Sequence, residues 1–319
     1  MTPKLMLLFA LALVPALGFA AEPAQVFPAP VYVTLEGSDA VEVFPQETVW
    51  HDLNSAHYDA MNPDGSRLLV SSHQTGKIYL LDTTTGEKIA TFDIGSVAQG
   101  VKIGPNGHWA LAIAPKQGAV AAINLDKLKV AKKIKVGNTP HNASFSPDGS
   151  RAYVTLQGGT GVAVVDMDTL KKVGEIAVPG IQGPHNIDLS DDGQIMWVRD
   201  TVGHVTVVNT ETGKELAVID VGIGHAGIDV VPGGKHVVTG AIAGHLVTVI
   251  NANTHEVVKQ IDVGQGPHGV RASADGRWVY VAVTGTNKVA VIDMRSLEVV
   301  RQVPTDGDVP FFIAVQGNH

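Results

Sequence analysis

The chain has 319 residues, a formal net charge of −8 at pH 7, 17% charged residues, 35 glycines and no cysteine. The acidic balance, with no basic run and no aromatic-studded basic stripe, argues against a nucleic-acid partner, which needs a basic face for phosphate. The missing cysteine excludes disulfides, thiolate metal ligands, a lipid-modified anchor cysteine and a covalently attached c-type haem.

Met1 to Lys4 is a short positive segment, Leu5 to Leu17 an apolar run too short to span a bilayer, and Gly18-Phe19-Ala20 places small residues at a cleavage site. This predicts a signal peptide over 1–20, a mature chain from Ala21 and a periplasmic location. No later segment is long and apolar enough to cross a membrane, and 21–319 reads as one domain. Val31 to Gly37 then reads as a strand, followed by strands over Ala40 to Phe44 and Glu47 to Asp52. Tight turns close at Gly65, Gly107, Gly149, Gly193, Gly234 and Gly276, with gaps of 42, 42, 44, 41 and 42 residues. A period in this range with short alternating strands is the signature of a β-propeller. In one repeat the predicted strands are His141 to Ser146, Arg151 to Leu156, Gly161 to Asp166 and Lys172 to Val178. The chain ends on a lone first strand, Pro310 to Val315. Joined to the three N-terminal strands it completes a seventh blade, so the predicted fold is an all-β, seven-bladed propeller of four-stranded blades. Such closure removes exposed sheet edges.

In a propeller the first strand of each blade lines the central channel. Seven residues before the turn Asp, or its equivalent, stand His57, Gln99, His141, His185, Ala226, His268 and Phe311, with His225 one residue before Ala226. Five histidines, His57, His141, His185, His225 and His268, are therefore expected at one channel mouth. His51, His73, His204 and His245 map to the same face, and His108, His236 and His255 to the other. Three residues further along each first strand stand Ala60, Lys102, Ser144, Asp188, Asp229, Arg271 and Ala314, a mostly polar column. Alternation points this column at the channel and packs the apolar columns beside it between blades. Trp109, Trp197 and Trp278 fall in second strands and read as core.

Clustered neutral imidazoles without a thiolate suit copper first and zinc second. Asp188, Asp229, Asn142 or Asn186 could accept from the second ring nitrogen of a ligating histidine. Lys102 and Arg271 could hold an anion, and Arg199, beside Asp200 in a loop on the same face, could contact a ligand. The competing reading is that duplication copied a packing histidine through the repeats without use. No nucleophile elbow, phosphate-cradling loop or calcium-loop pattern is present.

The run Ser146-Pro147-Asp148-Gly149-Ser150-Arg151-Ala152-Tyr153-Val154-Thr155-Leu156, followed by Val162 to Asp166, resembles the YVTN repeat of bacterial β-propellers. The copies that carry Pro-His, at Pro140-His141, Pro184-His185 and Pro267-His268, resemble the propeller that holds haem d1 in cytochrome cd-type nitrite reductases and their haem-maturation relatives. The first resemblance implies the fold and leaves function open. The second implies a non-covalent d1-type haem with a histidine as axial ligand and Lys102 or Arg271 near its propionates. Three readings follow. The first is a periplasmic binding protein holding a metal ion or small metal-bearing ligand at the mouth. The second is an oxidoreductase using copper or a d1-like haem there. The third is a scaffold whose face holds a periplasmic protein partner.

Overall fold

The computed structural model describes residues 26–317. The expected signal segment, the domain start at Ala21 and His319 lie outside the described residues. Seven four-stranded antiparallel sheets form a ring. Their innermost strands are Ala56–Met61, Val101–Ile103, Pro140–Phe145, Asn186–Leu189, Ile228–Val230 and Pro267–Ala272 for blades 1 to 6, and Pro310–Val315 for the closing blade. The closing blade runs Pro310–Val315, Val31–Leu35, Ala40–Phe44, Thr48–Trp50, as the complementary ends of the sequence require. Its seam pairs Val31 with Val315, Tyr32 with Ala314 and Val33 with Ile313. Among the described residues no helix is long and apolar enough to cross a membrane.

The strands follow from alternation and turn chemistry. Within blade 3, Arg151–Leu156 and Gly161–Asp166 stand where the pattern places them, and the outer strand is Lys171–Ala177. Gly149 turns the chain at φ +71°, and Asp148 Oδ1 accepts the Ser150 N–H at 3.0 Å, holding the Asp-Gly turn. The apolar columns pack blade against blade. Leu111, Ile113 and Val120 of blade 2 meet Phe145, Val154 and Leu156 of blade 3 in one cluster. At the seam, Phe27 stacks between Phe44 and Tyr280 at 5.9 and 5.4 Å, and the Tyr280 hydroxyl donates to Val26 O at 2.8 Å. This ties the start of the described chain across the closing blade to blade 6. Trp197 and Trp278 are buried in their blades, as expected, and Trp109 is partly buried.

Two features of the inner strands shape the channel. The first is a register shift over the opening residues of four of them, between Ala56 and Asp59, Pro140 and Ala143, Pro267 and Val270, and Pro310 and Ile313. Such bulges re-aim the side chains they carry. The second is a set of carboxylate ties between neighbouring blades. Asp188 Oδ2 accepts the Val230 N–H at 2.8 Å, and Asp229 Oδ2 accepts the Ala272 N–H at 2.7 Å. Blades 4, 5 and 6 are thereby linked in sequence at the axis.

Next to the seam, Glu42 is buried and accepts the Asp306 N–H at 3.0 Å. Burial pushes its carboxyl up to about 7, and the Asp306 and Glu47 charges add to the rise. A carboxyl raised in the fold binds its proton more tightly than in the unfolded chain, so stability falls as pH rises from its unfolded value through about 7. Glu42→Gln keeps an oxygen acceptor and removes the titration. The variant should melt a few degrees above the wild type near pH 8 and together with it near pH 4, read by calorimetry across that range.

Candidate functional site

The mouth of the channel is built from the opening residues of the inner strands. His57, His141, His185 and His268 are buried there, and His225 is half-buried. Four of the five stand in sequence around the ring. The ring centroids are 3.6 Å apart for His141 and His185, 4.4 Å for His185 and His225, and 5.2 Å for His225 and His268. His268 then stacks on Phe311 at 3.8 Å, and Phe311 on His57 at 4.2 Å. The two positions that interrupt the histidine column are thus its connections to His57. Phe311 packs on one side of that imidazole, and Gln99 Oε1 lies 3.0 Å from its Nε2 on the other.

His57 belongs to a second group, which the column pattern missed. Its Nδ1 is 3.1 Å from Glu36 Oε2, without hydrogen-bond geometry, and its ring is 4.5 Å from that of His73. One ligand atom from each of Glu36, His57 and His73 lies within 4.8 Å of the others. No other group of three or more such side chains among the described residues converges this way. Glu36 arrives from the turn between the first two strands of the N-terminal segment, where its N–H donates to Val309 O at 3.0 Å. His73 follows the second strand of blade 1. With Gln99 accepting from Nε2–H, a neutral His57 turns its Nδ1 lone pair on the Glu36 carboxylate, and the His73 Nδ1 is buried without a partner. Burial alone would raise the Glu36 carboxyl. Contact with His57 and the charges that His57 and His73 can carry hold it below the usual carboxylate range. Burial, and then the charge of His57, lowers His73.

The histidines of the arc are held neutral. Burial, and then the neighbouring imidazoles, drive His141 down to about 3 and put His185 and His268 well below the usual histidine value. Burial and the Arg199 charge lower His225. In His141 and His268 a ring nitrogen finds a backbone carbonyl where the sequence offered Asp188, Asp229, Asn142 or Asn186. His141 Nδ1 donates to His185 O at 3.2 Å and His268 Nδ1 to Phe311 O at 3.0 Å. These bonds leave the lone pair on Nε2, and in His268 that atom is buried without a partner. Asn186 Nδ2 lies 3.0 Å from His185 Nδ1 and also donates to Ala226 O at 2.7 Å.

Below the histidines the channel is filled by a column not expected from the sequence: Tyr58, Gly100, Asn142, Asn186, Gly227, Gly269 and Phe312. Tyr58 packs on Phe312 at 4.2 Å and reaches Asn186 Oδ1 at 3.4 Å, and Asn142 Nδ2 donates to Asn186 Oδ1. A Cβ at Gly100 would stand 2.4 Å from Asn142 Oδ1, so glycine there makes the room the amides use. This column has the parity of the polar one two residues on, which is the signal that could have found it.

The polar column does enter the channel. Arg271 is ion-paired with Asp229, and Asp188 accepts from Ser144 Oγ at 3.3 Å. Lys102 is buried beside them, and burial followed by the Arg271 charge lowers it to about 8. Asp188 and Asp229 spend their oxygens on neighbouring blades and not on histidines. Arg199 is fully buried and donates to Asp200 Oδ1, His204 O, Gly222 O and Gly224 O at 2.6 to 3.2 Å. It clamps the loop that carries His225 and does not face the opening. His204 and His245 bind Asp200 and Asp262 at 2.9 and 3.0 Å, away from the arc.

No curated protein matches the chain. The Cytochrome D1 heme domain family matches residues 187–310, which span blades 4 to 6 and are less than half of the chain. The imidazoles of the mouth are packed on one another and on Phe311, and leave no space among them for a macrocycle. Hydrazine synthase of Kuenenia stuttgartiensis has a similar fold at a TM-score of 0.76 and 21% identity, over 86% of this chain and 93% of that one. A functionally unknown protein from Desulfotomaculum acetoxidans DSM 771 gives a TM-score of 0.77 at 16% identity, over 91% and 99%. The Cps50 (Swd1) β-propeller domain of Myceliophteria thermophila gives 0.71 at 14%, over 82% and 90%. The chain is a seven-bladed propeller with similarity to the cytochrome D1 heme domain over three of its blades.

Proposed function

We propose that this protein is an exported, periplasmic metal-binding propeller, and that Glu36, His57 and His73 hold a single divalent ion at the channel mouth. The observation that carries this is the convergence of the three ligand atoms within 4.8 Å, with Gln99 on the remaining nitrogen of His57. Two imidazoles and a carboxylate suit zinc and copper(II), and intrinsic affinity ranks copper above zinc. An ion there would separate the Glu36 carboxylate from the facing His57 lone pair. It would also give the buried His73 nitrogen a partner. Because burial lowers His73, this ligand is already neutral near pH 7, so binding displaces no proton from it. Three protein ligands leave positions for water or an incoming donor, which suits reversible carriage.

Zinc serves as a redox-silent probe. Titration of the metal-free full chain should show one saturable site, with copper(II) displacing zinc. Glu36→Gln and His73→Ala should each weaken zinc by at least about 100-fold, and Gln99→Leu by about 10- to 100-fold, since it only orients a ligand. A wild type that binds neither ion saturably sinks the reading and leaves the scaffold alternative. Acidification from about pH 7.5 to about pH 5.5 should release the ion as protons compete with it for the site, seen as a fall in zinc affinity of about tenfold or more.

A further inference from the structure

The four-histidine arc is left outside that centre, and its chemistry differs from that of the triad. No three of its members bring their nitrogens together, and none has a carboxylate partner. Two members nevertheless offer free lone pairs to each other's neighbourhood. His268 is fully buried, its Nδ1–H is committed to Phe311 O, and its Nε2 has no partner. The His225 side chain makes no hydrogen bond among the described residues, and its backbone O accepts from Ile242 N–H at 3.1 Å. Its ring stands edge-on to that of His268 at 5.2 Å and 79°, and it is half-buried where the loop meets solvent. With metal–nitrogen bonds of about 2 Å, a shared ion needs the two nitrogens about 4 Å apart, and the half-buried His225 ring is the one free to turn toward His268 Nε2.

We infer that His225 and His268 form a second metal site, selective for a monovalent soft ion of the copper(I) class. Coordination number and charge decide the class. Zinc and copper(II) take four or more donors, and only two are offered here. Copper(I) and silver(I) accept two nitrogens in a near-linear arrangement. Both ligands are uncharged when they bind and His268 is fully desolvated, so no carboxylate or thiolate balances a double charge there. The Arg199 guanidinium, bonded to Gly224 O beside His225, repels a bound cation in proportion to its charge. The solvent-facing His225 provides the entry, and the buried His268 the inner ligand. The site is independent of the divalent centre, from which Phe311 separates it by stacking on both His268 and His57.

Silver(I) is the probe, because it does not change oxidation state. Titration of zinc-loaded full chain should show one saturable silver site with no release of zinc. His225→Ala, a half-buried change that the fold tolerates, should weaken silver by at least 100-fold and leave zinc within about threefold. Retained zinc binding also reports that the variant is folded. His268→Ala should behave alike, and His73→Ala should lose zinc and keep silver. Silver that displaces zinc, or that binds His225→Ala as tightly as wild type, overturns the inference while leaving the divalent centre standing. Loss of zinc binding in the wild type with silver retained overturns only the divalent centre.

Discussion

The narrowness of the channel governs this molecule. Seven inner strands converge on one axis, and the side chains they send inward must fill it without colliding. Tyr58 and Phe312 supply two rings, Asn142 and Asn186 two amides, and Gly100, Gly227 and Gly269 give way. Replacing any of the glycines would put a carbon against a facing strand or amide, since the spaces are under 3.5 Å. The plug makes a floor on which the histidines stand. They pack on one another because nothing below has room for them, and the same packing holds the four of the arc neutral.

Beneath the floor, charge takes over from shape. Asp188 and Asp229 bind backbone N–H groups of the next blade, and Arg271 closes on Asp229. A buried carboxylate with hydrogen bonds to fixed donors is tolerable where a free one is not. Arg199 follows the same logic at the rim, where four accepting oxygens surround a guanidinium with no exposure. Residues that look like ligand contacts in the sequence are thus partly occupied by the task of keeping a ring of short strands in register.

The fold was legible almost to the residue, because period, turn chemistry and complementary ends are local or additive properties. The blade limits of Arg151–Leu156 and Pro310–Val315 show this. The polar column was legible for the same reason, since Lys102, Asp188, Asp229 and Arg271 obey strand parity. The histidine column was half legible. Its members do gather at one mouth, but a bulge over Pro140 to Ala143, and over the matching residues of blades 1 and 6 and the closing blade, re-aims His141, His57, His268 and Phe311 in a way no alternation rule foresees. The grouping of His57 with Glu36 and His73 depends on which loops meet in space. Glu36 directly follows the strand Val31–Leu35, as His73 follows Arg67–Ser72 and Gln157 follows Arg151–Leu156, but a repeat position does not say which of these residues meet His57.

That seam gives the proposed centre a property beyond ligation. Glu36 is positioned by its bond to Val309 O, and its neighbour Gly37 by one to Asp308 O, while His57 rests on Phe311. Three contacts from Asp308, Val309 and Phe311 therefore place ligands supplied by the first third of the chain. An unclosed ring holds every one of the candidate ligand side chains without the contacts that place Glu36 and His57. An ion bound there would act as a rivet set only after Pro310–Val315 has closed the ring.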